Sequence, residues 1–149
     1  GMRRIDHYLE PDAPVANSIV AAVSVFVLHD DEELLMVRPA DDVYELPGGP
    51  MRAGETLTRA AVRLTREQTG IDIEVTGLIG VYSDPRHVIE YGDGEVRQEF
   101  SICFRATAAN DDDQALWVDE PLLHEMPIHP AVRLRIQHGF DKRDTPFYE

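Results

Sequence analysis

The sequence predicts one α/β domain built on a mixed β-sheet. Three observations predict it. Hairpin signals outnumber helical crossovers, a single strongly amphipathic helix lies near the middle of the chain, and no G-x-G-x-x-G turn opens a helix. The first and the last speak against a parallel dinucleotide-binding sheet. A chain of 149 residues suits one domain and is long enough to bury a core.

The elements follow in chain order. Residues 1–16 contain Pro11 and Pro14 and read as an irregular N-terminal arm, and residues 17–149 read as the domain. Gly1 ahead of Met2 reads as a remnant of tag removal. Ile19 to Leu28, rich in Val and Ala, predicts a strand buried on both faces. Asp30–Asp31 predicts a turn into a second strand, Leu34 to Arg38. A loop from Pro39 to Asp42 leads to a short strand around Tyr44 to Leu46. Leu57 to Gln68 is the helix, with Thr56 as its N-cap and Gly70 as its stop. Ile73 to Tyr82 is strand-like, and the Gly-Asp-Gly turn between His87–Tyr91 and Glu95–Thr107 predicts a hairpin. A polar acidic loop, Asn110 to Gln114, precedes the apolar pair Trp117–Val118, and Trp117 is expected in the core. Asp119 caps a short helix to Met126, and Pro130 opens a last one to about Gly139.

Composition narrows the function classes. The net charge is −14, and Lys142 is the only lysine beside an otherwise all-arginine basic set. Such a balance argues against a broad phosphate-gripping face, so no nucleic acid partner is expected. No apolar run approaches the roughly 18–20 residues of a membrane span, and no basic region followed by an apolar one opens the chain. A cytoplasmic protein without a membrane partner is the expectation. Cys103 is alone, cannot form an internal disulfide, and lies in an apolar alternation that predicts a buried thiol.

The segment that carries chemistry reads LPGGPMRAGETLTRAAVRLTREQTGI, from Leu46 to Ile71. Pro47, Gly48 and Gly49 predict a tight turn whose backbone can approach a ligand. On the helix, Leu57, Ala60, Ala61 and Leu64 make one apolar stripe, and the same stripe reaches Glu67 and Gln68 near the turn. One end of the stripe packs, and the other presents polar groups suited to holding a cation against a diphosphate.

This segment resembles the Nudix box, G-x5-E-x7-R-E-U-x-E-E-x-G-U with U a bulky apolar residue. Gly49, Glu55, Arg63, Glu67, Gly70 and Ile71 match at the required spacing, and Leu46-Pro47-Gly48 matches the usual lead-in. The resemblance implies the Nudix fold, a mixed β-sheet sandwiched between helices, over residues 17–140. It also implies a hydrolase that uses Mg²⁺ or Mn²⁺ on the pyrophosphate of a nucleoside diphosphate linked to another moiety. In that carry-over Glu67 is the catalytic and metal-binding carboxylate, Gly48 gives its carbonyl to the metal, and Gly49, Glu55, Arg63 and Gly70 support the box. The sequence departs from the pattern at Leu64 and Gln68, which stand where two further metal-site glutamates are expected, and at Thr65, which stands at the apolar position. Two of three carboxylates on the metal face are therefore missing. The alternative reading is a nucleotide-binding or sensor protein on the same fold that has lost efficient catalysis.

Outside the box, Arg38, Arg86 and Arg97 are candidates for contacting the ligand. Asp111, Asp112 and Asp113 lie about where some members carry an extra catalytic acid, with a solvated turn as the plainer reading. The histidines show no metal-ligand spacing among themselves. The family resemblance implies a homodimer, in which residues 1–16 could serve as an exchanged arm.

Overall fold

The structure, a computed structural model, describes residues 3–38 and 41–149. Gly1–Met2, and Pro39 and Ala40 of the expected loop, lie outside the described residues. The strands are β1 (Arg4–Tyr8), β2 (Ser18–His29), β3 (Glu33–Met36), β4 (Gly48–Pro50), β5 (Ile73–Tyr82), β6 (His87–Tyr91), β7 (Val96–Ala108) and β8 (Leu116–Asp119). The helices are α1 (Leu57–Thr69), α2 (Glu120–Leu123) and α3 (Pro130–Asp141).

The sheet runs β1-β6-β7-β2-β3-β8, with β4 added to β2 and β5 added to β7. Among the described residues one pairing between named strands is parallel, that of β2 with β7 over ten residues, Ser18↔Arg97 to Val27↔Ala106; the other pairings between these strands are antiparallel. That single pairing makes the sheet mixed. Asp30 and Asp31 both take positive φ, 52° and 57°, a conformation that suits hairpin turns and that aspartate tolerates.

Because side chains alternate along a strand, β2 feeds two cores. Val23, Val25 and Val27 pack with Ala60, Ala61 and Leu64 of α1. Phe26 packs on the opposite face with Cys103, Leu123 and Ile136. The helix α1 thus covers one face and α2–α3 the other, and the sheet is sandwiched as expected. Cys103 is fully buried, and burial pushes its thiol up to about 11. The α1 helix is capped by Thr56 Oγ1, which accepts from Arg59 N at 3.2 Å, and ends at left-handed Gly70, φ 76°. Trp117 is partly buried and packs against the α1-side core.

Three expectations need correction. The N-terminal arm is not irregular: Arg4–Tyr8 forms β1, paired residue by residue with β6. Its composition hid it, because Ile5 is its one aliphatic residue and charged Arg4 and Asp6 flank it, which leaves no apolar alternation to read. The β2 strand is not buried at its start, where Ile19 is 62% exposed. Among the described residues Tyr44–Leu46 makes isolated bridges and no strand, Val37↔Glu45 and Tyr44↔Ile128.

Candidate active site

The box folds as loop, helix and brace. Gly48–Pro50 does not stand out as an exposed turn; it lies along β2 as β4, with Ser24↔Gly48 and Val23↔Gly49 in register. The approach is close enough that a Cβ on Gly48 would run into the Val23 carbonyl oxygen. The brace is Glu55 with Arg63. Arg63 Nε donates to Glu55 Oε2 at 2.9 Å and its Nη2 to Oε1 at 2.7 Å. Arg52 N donates to the same carboxylate at 2.7 Å. Arg63 also reaches the Pro50 carbonyl at 3.3 Å, so one guanidinium ties helix, loop and β4 together. Its hydrogen bonds and that of Arg52 hold the Glu55 carboxyl down at about 2. A bidentate pair of this kind fixes geometry as well as charge.

The metal face has a different content. Gln68 Oε1 accepts from Gly48 N at 3.0 Å, and Gln68 Nε2 donates to Gly48 O at 2.8 Å. The carbonyl expected to serve a metal ion is therefore engaged by an amide. Leu64 is 8% exposed, and its methyl groups lie 3.5 and 3.6 Å from where a Gly49 Cβ would stand. Thr65 is fully buried and donates to the Ala61 carbonyl at 2.8 Å. Glu67 is paired with Arg63 Nη1 at 3.4 Å and is 51% exposed. It lines an outer groove between α1 and β5, together with Arg59, Arg66 and Glu74. Among the described residues no three His, Cys, Asp or Glu side chains are grouped to hold a metal ion. A divalent ion does not fit this donor set, since one carbonyl is occupied, one position is apolar and the remaining acid is turned to an arginine.

A cleft of about 620 Å³ begins at Gly48–Pro50 and crosses the α3 face of the sheet. Val20, Ala22 and Ile89 give it an apolar floor, and Tyr91 and His129 give it aromatic walls. Strand register brings polar groups there from distant parts of the chain: Arg4 and Asp6 from β1, Arg97 and Glu99 from β7, Glu45 from the run into the box and Arg135 from α3. Arg135 is only 6% exposed. It donates to Ser101 Oγ and the Ala131 carbonyl, both at 2.6 Å, and its guanidinium lies 4.2 Å from the Tyr82 ring centre. His87 and His129 stack at 5.3 Å. His129 Nδ1 accepts from Ala131 N at 3.1 Å and so caps α3 as a neutral ring; burial keeps its pKa low. His87 Nε2 is buried, has no hydrogen-bond partner among the described residues, and lies 3.8 Å from Asp6 Oδ1.

Two carboxyls in this cleft move in opposite directions. Burial raises the Glu45 pKa, and Asp41, Asp6 and Glu99 add to it against the pull of Arg4. Burial would raise Asp6 too, yet His87 and Arg4 beside it bring its pKa down. Glu45 therefore holds its proton to higher pH in the folded protein than in the unfolded chain. The stability this gives is complete below about pH 4.5, the ordinary value, and is lost as pH rises through the folded value. Glu45→Gln is accordingly expected to raise Tm at pH 7 and to leave it unchanged at pH 4. A thermal melt series across that range checks the sign; a lower Tm at pH 7 would mean that the carboxylate is needed ionised.

Of the outlying candidates, only Arg97 lines this cleft. It is paired with Glu95 through two 3.0 Å hydrogen bonds and lies over the Tyr91 ring at 4.8 Å. Arg38 pairs with Asp42 on the surface, and Arg86 pairs with Asp84. The acidic loop packs at the C-terminal end of α1. There Asp112 faces Gly70, where a Cβ would collide with its carboxylate, and accepts from Gln114 N. Asp111 is exposed beside it. Neither lines the cleft. Arg4, Asp6, Glu45, Glu99 and Arg135 were not foreseen. One signal was available: Arg97, Glu99 and Ser101 put a polar face on the first half of β7, a central strand whose middle, Ile102 to Phe104, is apolar.

Comparison with known proteins agrees with this architecture. The NUDIX domain family matches residues 19–146. An ADP-ribose pyrophosphatase of Methanocaldococcus jannaschii is 36% identical over 63 residues, covering 40% of this chain and 37% of that one. A MutT-like protein of Streptomyces ambofaciens is 38% identical over 76 residues, covering 50% and 48%. The matched part is thus less than half the length of either relative. A NUDIX hydrolase structure from Nitrosomonas europaea superposes with a TM-score of 0.68 at 20% identity, covering 87% of this chain and 94% of that one, which speaks for the fold. Hydrolases of this family generally use divalent metals, and relatives of this chain are named as pyrophosphatases and nucleoside triphosphatases. With most of its length matched by the family and its sheet, helices and box arranged accordingly, this chain belongs to the Nudix family.

Proposed function

We propose that this chain takes a nucleoside diphosphate linked to a second group into the cleft beside Gly48–Pro50, and that its hydrolysis of the diphosphate is weak beside its binding. The observation that carries this reading is the continuity of the cleft with the glycine strand. The apolar floor of Val20, Ala22 and Ile89, in a cleft whose volume of about 620 Å³ falls within the roughly 300–1,000 Å³ of ordinary ligand pockets, opens directly onto a backbone that a phosphate can approach. The weakness follows from charge. Attack on a phosphorus shielded by anionic oxygens needs that charge neutralised, and Leu64 and Gln68 supply none of the groups that would gather a cation. The names of the relatives favour a second reading, a metal-dependent pyrophosphohydrolase working through Glu67. Among the described residues that side chain makes one hydrogen bond, the 3.4 Å contact to Arg63, and it is easily exchanged.

A panel of nucleoside diphosphate derivatives separates the two readings, scored by thermal shift and by release of nucleoside monophosphate with Mg²⁺ or Mn²⁺. The first reading expects stabilisation by at least one derivative with turnover near or below ~0.01 s⁻¹, against the ~1–10³ s⁻¹ usual for enzymes. Turnover in the usual range that collapses in Glu67→Gln selects the second. No stabilisation and no turnover across the panel would sink both.

A further inference from the structure

We infer that the Gln68 amide stands in for a cation, locking the Gly48 strand to α1 so that neither the junction nor ligand binding depends on a divalent ion. Gln68 satisfies both polar groups of Gly48 at once, accepting from its N–H and donating to its carbonyl. That reciprocity fixes the amide orientation, because the flipped amide would set NH₂ against N–H and oxygen against oxygen. A carboxylate at residue 68 could accept from Gly48 N, but its second oxygen would face the Gly48 carbonyl oxygen at about the present 2.8 Å. Two oxygens at that distance need a positive charge between them or must part. The amide NH₂ removes the need.

The surroundings agree. One helical turn before Gln68, Leu64 fills the space beneath Gly49 with methyl groups, where a hydrated ion would have to displace buried apolar surface. The Glu55 carboxylate is fully engaged by Arg63 and Arg52 N, and Glu67 is turned to Arg63. Gln68 is thus a positioning residue. It holds Gly48 N–H and C=O in place, and through them the strand that borders the cleft.

The statement about the junction stands by itself; the statement about ligand binding rests on the function proposed above. The test is Mn²⁺ titration followed by electron paramagnetic resonance without nucleotide, paired with melts in EDTA and in Mn²⁺, on wild type, Gln68→Glu and Gln68→Met. Wild type is expected to show no saturable Mn²⁺ binding up to about 1 mM and one Tm in both buffers. Gln68→Glu is expected to melt lower in EDTA and to recover with Mn²⁺, whereas Gln68→Met melts lower in both. Saturable Mn²⁺ binding by wild type, or a wild-type Tm that falls in EDTA, overturns the inference without any variant having to fold. So does a Gln68→Glu protein that behaves like Gln68→Met. Any derivative that stabilises the protein is expected to do so equally in EDTA, and a strict Mn²⁺ requirement overturns the ligand half. A panel with no ligand at all counts against the proposed function, and the ion data still decide the junction.

Discussion

Gly48→Ala is expected to cost about 3–5 kcal/mol of stability and to abolish stabilisation by any cleft ligand. The atom in the way is backbone. A Cβ at residue 48 would overlap the Val23 carbonyl oxygen and press on Ser24 Cα at 3.0 Å, and neither can swing aside as a side-chain end could. Val23 and Ser24 lie in β2, held on its other side by β7 along ten paired residues. The strain must therefore be relieved by β4 lifting away. Lifting breaks the paired hydrogen bonds to Gln68 and loosens the Val25 N to Pro47 O bond, now 2.9 Å. It also draws Gly49 off Leu64. Chemical denaturation of wild type and variant measures the loss, and a ligand titration on the folded fraction measures the binding. A variant within about 1 kcal/mol of wild type would mean that β4 does not press on β2 as the structure has it.

The parts of the molecule that local pattern controls were legible in the sequence. The α1 helix announced itself through a capping threonine, a one-face stripe and a glycine stop, all of which act within a few residues. The β2–β3 hairpin and the β6–β7 turn were legible for the same reason. The β1 strand was not, because Arg4, Asp6 and Tyr8 satisfy no local apolar alternation; their pairing partners are some eighty residues away in β6. The cleft failed to show for a related cause. Its charged set is assembled by register between β1, β6, β7 and β2 and by the docking of α3, so a short window of sequence holds at most a pair of it, such as Arg4 with Asp6 or Arg97 with Glu99. The box was legible as spacing but not as geometry. That Leu64 and Gln68 depart from the pattern could be read directly. That the amide of Gln68 closes on both polar groups of Gly48 could not, since it depends on β4 lying flat on β2.

Putting carboxylates at both positions, in Leu64→Glu with Gln68→Glu, is expected to raise divalent-dependent hydrolysis of a bound diphosphate derivative by about a hundredfold or more, equivalent to ~2.7 kcal/mol in the barrier. The change should cost stability when no divalent ion is present. Leu64 is packed beneath Gly49 and against Val23 and Ala61, and an ionised carboxylate there loses its hydration with no cation at hand. The glutamate at residue 68 would repel the Gly48 carbonyl where the amide now donates to it. The two penalties share one remedy, so the double variant should melt well below wild type in EDTA and regain much of the loss in Mg²⁺ or Mn²⁺. Stability and turnover are therefore expected to rise together along one metal titration, with the same midpoint. That coincidence separates a rebuilt site from a contaminating hydrolase, whose activity would follow metal while the melting temperature stayed put. A double variant that recovers its stability with metal but cleaves nothing would place the defect elsewhere. The cleft formed by Arg4, Glu45, Arg97 and Glu99 would then hold its ligand with the diphosphate out of line with the helix, and binding alone would be what this cleft does.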